Sequence, residues 1–92
     1  MARGVTVVPV RIVALDVETQ KPIPFSRVEI YDARTGRLMM VTATDERGIA
    51  EVSLPPGKYV VVFKSLIYKP IKQEVEITGP VELTIKTHKI IL

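Results

Sequence analysis

The stretch that decides the fold of this chain is residues 44–64, which read TDERGIAEVSLPPGKYVVVFK. Asp45 and Gly48 have the spacing of a tight turn, in which an aspartate opens the turn and a glycine completes it. Pro56 and Gly57 form a second turn signal, and we expect a type II turn in which Gly57 takes a positive φ. The residues after each turn alternate or run apolar, as β-strands do. This stretch therefore predicts two successive strands, each preceded by a tight turn.

The remainder of the chain divides in the same way. Gly36 is expected to supply the positive φ of a further hairpin, and Tyr59 begins a strand that is apolar on both faces and should be central in its sheet. No segment has a helical period. The predicted strands are 5–15, 25–32, 37–44, 49–54, one from residue 59, 71–77 and one from residue 81. They predict an all-β, seven-stranded Greek-key β-sandwich, with residues 1–92 as a single domain.

Composition supports this fold and excludes several kinds of chemistry. Val, Ile and Thr together supply 32 of the 92 residues, and their branched side chains favour strands. Cysteine is absent, which excludes disulfides, thiolate nucleophiles and Cys-ligated metals. Asn is also absent and Gln occurs only twice, a composition that resembles proteins from hot environments.

Two runs of residues carry a family resemblance. They are Thr19-x-x-Pro22-Ile23-x-x-Ser26-x-Val28-x-Ile30-x-Asp32-x-x-Thr35-Gly36 and Thr44-Asp45-x-x-Gly48-x-Ala50-x-Val52-x-Leu54-Pro55-Pro56-Gly57-x-Tyr59-x-Val61-x-Phe63. Together they resemble the carboxypeptidase regulatory-like and Cna B-type domains, whose fold is the prealbumin-like (transthyretin-like) sandwich. The resemblance implies structural roles for these residues, with Gly36, Gly48, Pro56 and Gly57 in turns and Tyr59 in the core. It also implies a non-enzymatic accessory, stalk or adhesive module of a secreted or cell-surface protein.

The chain departs from two chemical signatures of related domains. Cna B-type domains often carry an isopeptide bond between a Lys on the first strand and an Asn on the last, but this chain has no Asn and no Lys before Lys21. Transthyretin-like hydrolases of hydroxyisourate use more than one His and a C-terminal Tyr-Arg-Gly-Ser, whereas His88 is the only histidine here. We therefore expect no crosslink, no catalytic residue and no cofactor.

Metal, nucleic-acid and glycan sites receive little support from the sequence. Asp16 and Asp45 are expected to cap turns rather than to bind calcium. The net charge of +3 is spread along the chain, so we expect no nucleic-acid partner. Tyr31 and Tyr68 are expected to be exposed, and together with loop residues they suggest a glycan- or ligand-binding accessory module, which stays an alternative.

The strongest remaining signal is a surplus of apolar residues beyond what one core needs. We predict self-association, or docking to a neighbouring domain, by strand addition at a sheet edge or chain end. The candidates are Val8, Val10, Ile12, Met39, Val41, Ile90, Ile91 and Leu92. The competing interpretation is a strand that crosses between sheets or a tail that folds onto its own domain.

We therefore predict a structural or interaction module whose partner is a protein, either a copy of the chain or a neighbouring domain. No membrane span is expected, because residues 5–15 fall far short of the ~20 that a spanning helix needs. An extracellular or cell-surface location is expected for a processed or excised domain. A cytoplasmic transthyretin-like protein of another function stays an alternative.

Overall fold

The computed structural model describes residues 6–90, which form seven strands and no helix. The strands are β1 (Val8–Asp16), β2 (Arg27–Asp32), β3 (Leu38–Ala43), β4 (Ile49–Leu54), β5 (Gly57–Lys64), β6 (Ile71–Ile77) and β7 (Val81–Thr87). Their number and order confirm the sandwich that the sequence predicts. The clearest difference in a boundary is at β2, which starts at Arg27 rather than at Phe25, because Phe25 has a φ of 54° and cannot continue an extended strand.

The strands form two sheets that pack face to face. One sheet has three strands in the order β4-β1-β7, and the other has four in the order β3-β2-β5-β6. β1 and β7 run parallel, while the other pairs are antiparallel. β5 lies between β2 and β6, which confirms its predicted central position.

The core fills the space between the sheets with alternate residues of the strands, although β3 contributes only the partly buried Met40. Ile12 on the smaller sheet and Ile30 and Phe63 on the larger one are completely buried. Tyr59 is also buried, as expected, and its hydroxyl donates a hydrogen bond to the Pro55 carbonyl at 2.6 Å. The members of the core are Val10, Ile12, Ala14, Ile23, Val28, Ile30, Ala50, Leu54, Tyr59, Val61, Phe63, Tyr68, Ile77 and Ile85.

Two of the three predicted turn glycines adopt the expected conformation. Gly36 and Gly48 both have a φ of 75°, but Gly57 does not have a positive φ, so the predicted type II turn is wrong. Gly57 is the first residue of β5 and pairs with Ile77, so its backbone is already extended. Its conformation is set by the neighbouring strand, which local turn statistics do not include.

Gly36 and Gly48 differ in their surroundings, and this difference gives a matched test. A Cβ at Gly36 would meet nothing within 4 Å, whereas a Cβ at Gly48 would lie 2.8 Å from the Pro22 Cβ and 3.0 Å from the Ala14 carbonyl oxygen. Gly36→Ala should therefore cost only the backbone strain, about 1 kcal/mol. Gly48→Ala adds a steric overlap and should cost about 3 kcal/mol. Urea unfolding of both variants measures the difference, and equal losses would contradict the close packing at Gly48.

Candidate interaction surface

The outer face of the four-stranded sheet combines a polar centre with an apolar border. Glu29 on β2 lies opposite Val41 on β3 and opposite Val62 on β5. Tyr31 lies opposite Leu38 and Val60 in the same way. Because opposite residues of an antiparallel pair share a face, these side chains form one continuous surface.

Glu29 is the buried centre of this surface. Only 4% of the residue is exposed, because Arg27, Tyr31 and Lys64 surround its carboxylate. The Arg27 Nε donates to Glu29 Oε2 at 2.6 Å, the Tyr31 hydroxyl donates to Oε1 at 2.9 Å, and the Lys64 Nζ lies 3.3 Å from Oε1. The Arg27 and Tyr31 hydrogen bonds lower the pKa of Glu29 to about 2. The reciprocal hydrogen bond and burial raise the pKa of Tyr31.

β3 is an edge strand that displays apolar side chains. Leu38, Met39 and Val41 are exposed to 50%, 46% and 43%. Of the four edge strands that residues 6–90 form, β3 alone contains no charged residue, whereas β4, β6 and β7 each contain at least one. Charged side chains on an edge are a usual protection against pairing with another chain. β3 lacks that protection.

The backbone of β3 also presents groups to a further strand. The Thr44 N–H donates to the Ser26 carbonyl at 2.9 Å, and the direction of these groups alternates along an antiparallel pair. Thr42 and Met40 therefore point their backbone groups towards β2, while Val41 and Ala43 point theirs away from the sheet. A bulge follows, because Met40 pairs with Ile30 and Leu38 with Tyr31, which leaves Met39 unopposed.

The structure separates the candidates for self-association into distinct groups. Val10 and Ile12 are completely buried, so their assignment to a docking surface is wrong. β1 is the central strand of its sheet, and these residues face the core. Val8 is half-buried against the same core. Ile90 is exposed, and Ile91 and Leu92 lie outside the described residues. Met39 and Val41 on β3 therefore have the most suitable geometry.

The two tyrosines proposed for ligand binding are not equivalent. Tyr68 is only 9% exposed, so the expectation that it lies on the surface is wrong. Its hydroxyl donates to Asp16 Oδ2 at 2.8 Å, while Asp16 Oδ1 accepts the Glu18 N–H at 2.8 Å. The Tyr68 hydrogen bond lowers the pKa of Asp16. Tyr31 lines a depression of about 440 Å³ on the outer face, but its hydroxyl is already bonded to Glu29, and its role in ligand binding stays a prediction.

The predicted turn-capping roles of the aspartates agree with the geometry. Asp45 Oδ1 accepts the backbone N–H groups of Arg47 at 2.8 Å and Ile49 at 3.0 Å, and the Ile49 hydrogen bond contributes most to lowering its pKa. Residues 6–90 contain no group of three His, Cys, Asp or Glu side chains arranged to hold a metal ion. In the same range, no helix has the length and hydropathy to cross a membrane.

Phe25 and Leu66 are surface residues that the sequence did not single out. They are exposed to 76% and 96%, and both line a depression at one end of the sandwich. Phe25 keeps its positive φ while its N–H donates to the Thr44 carbonyl at 3.0 Å. A bulky residue seldom adopts this conformation, and the residue types around Phe25 gave no signal of it.

Solved structures share this arrangement of strands. A domain of the TIE protein of Bacillus anthracis aligns with a TM-score of 0.78 and 23% identity over 91% of this chain and 17% of that chain. The pilus 2b backbone protein of group B streptococcus aligns with a TM-score of 0.72 and 20% identity over 89% of this chain and 41% of that one. The fold is prealbumin-like. The resemblance to Cna B-type domains is thereby confirmed at the level of the fold.

The prealbumin-like fold also occurs in an enzyme. The 5-hydroxyisourate hydrolase of Klebsiella pneumoniae aligns with a TM-score of 0.70 and 14% identity over 88% of this chain and 90% of that chain. No protein-family profile matches the sequence, and no curated protein matches it. The chain spans less than half the length of the TIE and pilus proteins. At these identities the similarity describes the fold.

Glu29 gives a prediction for the pH dependence of stability. Its pKa is about 2 in the folded chain and 4.5 ordinarily, so between these values the unfolded chain binds more protons. The stability that the carboxylate contributes is therefore complete above about pH 4.5 and is lost as the pH falls towards 2. Glu29→Gln should be less stable at neutral pH and should lose less stability over this range.

Urea unfolding at a series of pH values measures this effect. Glu51→Gln is the matched control, because Glu51 is exposed and its one salt bridge within residues 6–90 is with Arg11 at 3.1 Å. It should keep the pH dependence of the original chain. An acid-induced loss of stability that is unchanged in Glu29→Gln would contradict the assignment.

Proposed function

We propose that this chain is a structural module of a secreted or cell-surface assembly, and that it holds a neighbouring protein by accepting a β-strand at the β3 edge. The observation that carries the proposal is the uncharged edge strand with three exposed apolar residues. Strand addition needs free backbone groups for affinity and apolar side chains for contact, and β3 offers both. The similarity in fold to a pilus backbone protein supports a structural role at a cell surface.

We further propose that the module has no catalytic activity of its own. The support comes from the residue types: the sequence holds one histidine and no cysteine. His88 is exposed on the surface. The hydrolase that shares the fold belongs to a class whose signature, more than one His and a C-terminal Tyr-Arg-Gly-Ser, is missing from this sequence. A shared fold does not by itself carry an activity.

A synthetic strand tests whether the edge accepts a partner. A fluorescent peptide with the sequence of residues 37–45, RLMMVTATD, should bind the chain saturably in an anisotropy titration. Val41→Lys places a charge on the outer face of the edge strand and should weaken binding at least about tenfold, as edge charges do. A scrambled peptide of the same composition should not bind.

Ser53→Lys is the matched control for the added charge. Ser53 is exposed on β4, the edge strand of the other sheet, so this variant should bind the peptide like the original chain. Equal binding of the scrambled peptide, or binding that survives Val41→Lys, would contradict a strand site at β3.

A further inference from the structure

The charges that flank β3 are arranged symmetrically about its outward-facing centre. Residues 38–44 carry no charge, and Arg37 and Asp45 bound this segment. Val41 is the middle residue, with three uncharged residues on each side. Val41 is also one of the two residues that direct their backbone groups away from the sheet. When two copies of the segment run antiparallel about Val41, the positive end of each therefore lies beside the negative end of the other.

We infer that the strand accepted at this edge is β3 of a second copy of the chain, antiparallel about a two-fold axis through Val41. This inference rests on the proposed function. Val41 then lies opposite its own counterpart, and the two residues exchange a pair of backbone hydrogen bonds. Met40 then lies opposite Thr42 of the second copy. The ladder is no longer regular beyond the bulge at Met39, but the Arg37 end of each strand lies beside the Asp45 end of the other.

Charge discriminates this register from its neighbours. An axis one residue further on, at Thr42, would move the Arg37 end away from Asp45 and towards Arg47 of the second copy. An axis at Ala43 would bring Asp45 against the apolar Val41. In-register parallel pairing would oppose Arg37 to Arg37 and Asp45 to Asp45. Like charges directly opposite each other destabilise a sheet, and opposite charges stabilise it, so the axis at Val41 is favoured.

The flanking residues are available for these contacts. Arg37 and Asp45 are both exposed, and neither forms a salt bridge within residues 6–90. Asp45 is negatively charged at neutral pH, and the Ile49 N–H bond lowers its pKa further below the ordinary value. The hydrogen bonds that hold it in the turn use only Oδ1. Its second oxygen is free of hydrogen bonds within the described residues.

The pairing also covers the apolar border of the outer face. The two four-stranded sheets would join into one eight-stranded sheet, and the exposed side chains of the two β3 strands would lie beside one another. Homotypic interfaces of this kind are self-complementary by symmetry. The bulge at Met39 restricts the regular ladder to the residues nearest the axis.

Single-cysteine variants test the register directly, because the chain has no other cysteine and a disulfide that joins two protein residues can form only between copies. Val41→Cys should give a disulfide-linked dimer under a glutathione redox buffer, seen on a non-reducing gel. In the proposed register, the two copies of residue 43 are offset by four residues, roughly 14 Å. This exceeds the ~7 Å limit for a disulfide, so Ala43→Cys should stay unlinked.

A charge reversal tests the end contacts without affecting the core. Arg37→Glu should weaken the dimer about tenfold in sedimentation equilibrium at low salt, since each of two attractive pairs becomes repulsive. Arg34→Glu is the matched control, because Arg34 is exposed on the same hairpin but outside the paired segment. It should leave the dimer unchanged.

The outcomes separate this inference from the proposed function. A chain that stays monomeric but still binds the β3 peptide would overturn pairing with a second copy and leave the strand site in place. A monomer that binds no peptide would overturn both. The register would be overturned if Ala43→Cys cross-linked as readily as Val41→Cys. It would also be overturned if Arg37→Glu and Arg34→Glu weakened the dimer equally.

Discussion

Each strand of this chain has to place one face against the opposite sheet, because residues 6–90 form a single core between the two sheets. The side chains of the other face must then be stabilised in some other way, since the two-residue period of a strand leaves them outside. On the larger sheet, Arg27 and Lys64 cover Glu29 and keep it charged and buried. On the smaller sheet, Arg11 and Glu51 pair across β1 and β4. β3 has no such ion pair, and its outer side chains remain exposed.

The second consequence of the sandwich is that its sheets have edges. Two open sheets have four edge strands, and every edge presents unpaired backbone groups to solvent. Charged residues on β4, β6 and β7 protect three of these edges. The fourth edge combines outward backbone groups with exposed Leu38, Met39 and Val41. Protection by charged side chains therefore explains three of the edges. β3 is the exception, and the proposed function rests on it.

Local features of the structure were predictable because they depend on residues close in sequence. Gly36 and Gly48 take a positive φ, and Asp16 and Asp45 cap turns, since each of these features involves only a few consecutive residues. The alternation in β5 was equally clear, and its apolar character on both faces indicated a central strand. Gly57 is a position at which prediction from neighbouring residues fails. Its backbone pairs with β6, and that pairing overrides the preference of a Pro-Gly sequence for a type II turn.

The sequence by itself determined the class of fold, the number of strands and the residue types available for chemistry, because periodicity, turn residues and composition are local properties. Only the tertiary structure decided which apolar residues are free. Val10 and Val41 both lie in apolar strands, yet one faces the core from a central strand and the other lies exposed at an edge. Tyr68 is likewise buried in the core, where its hydroxyl donates a hydrogen bond to Asp16, which is distant in the sequence. The order of strands in a sheet arises from contacts between remote segments, and no local pattern encodes it.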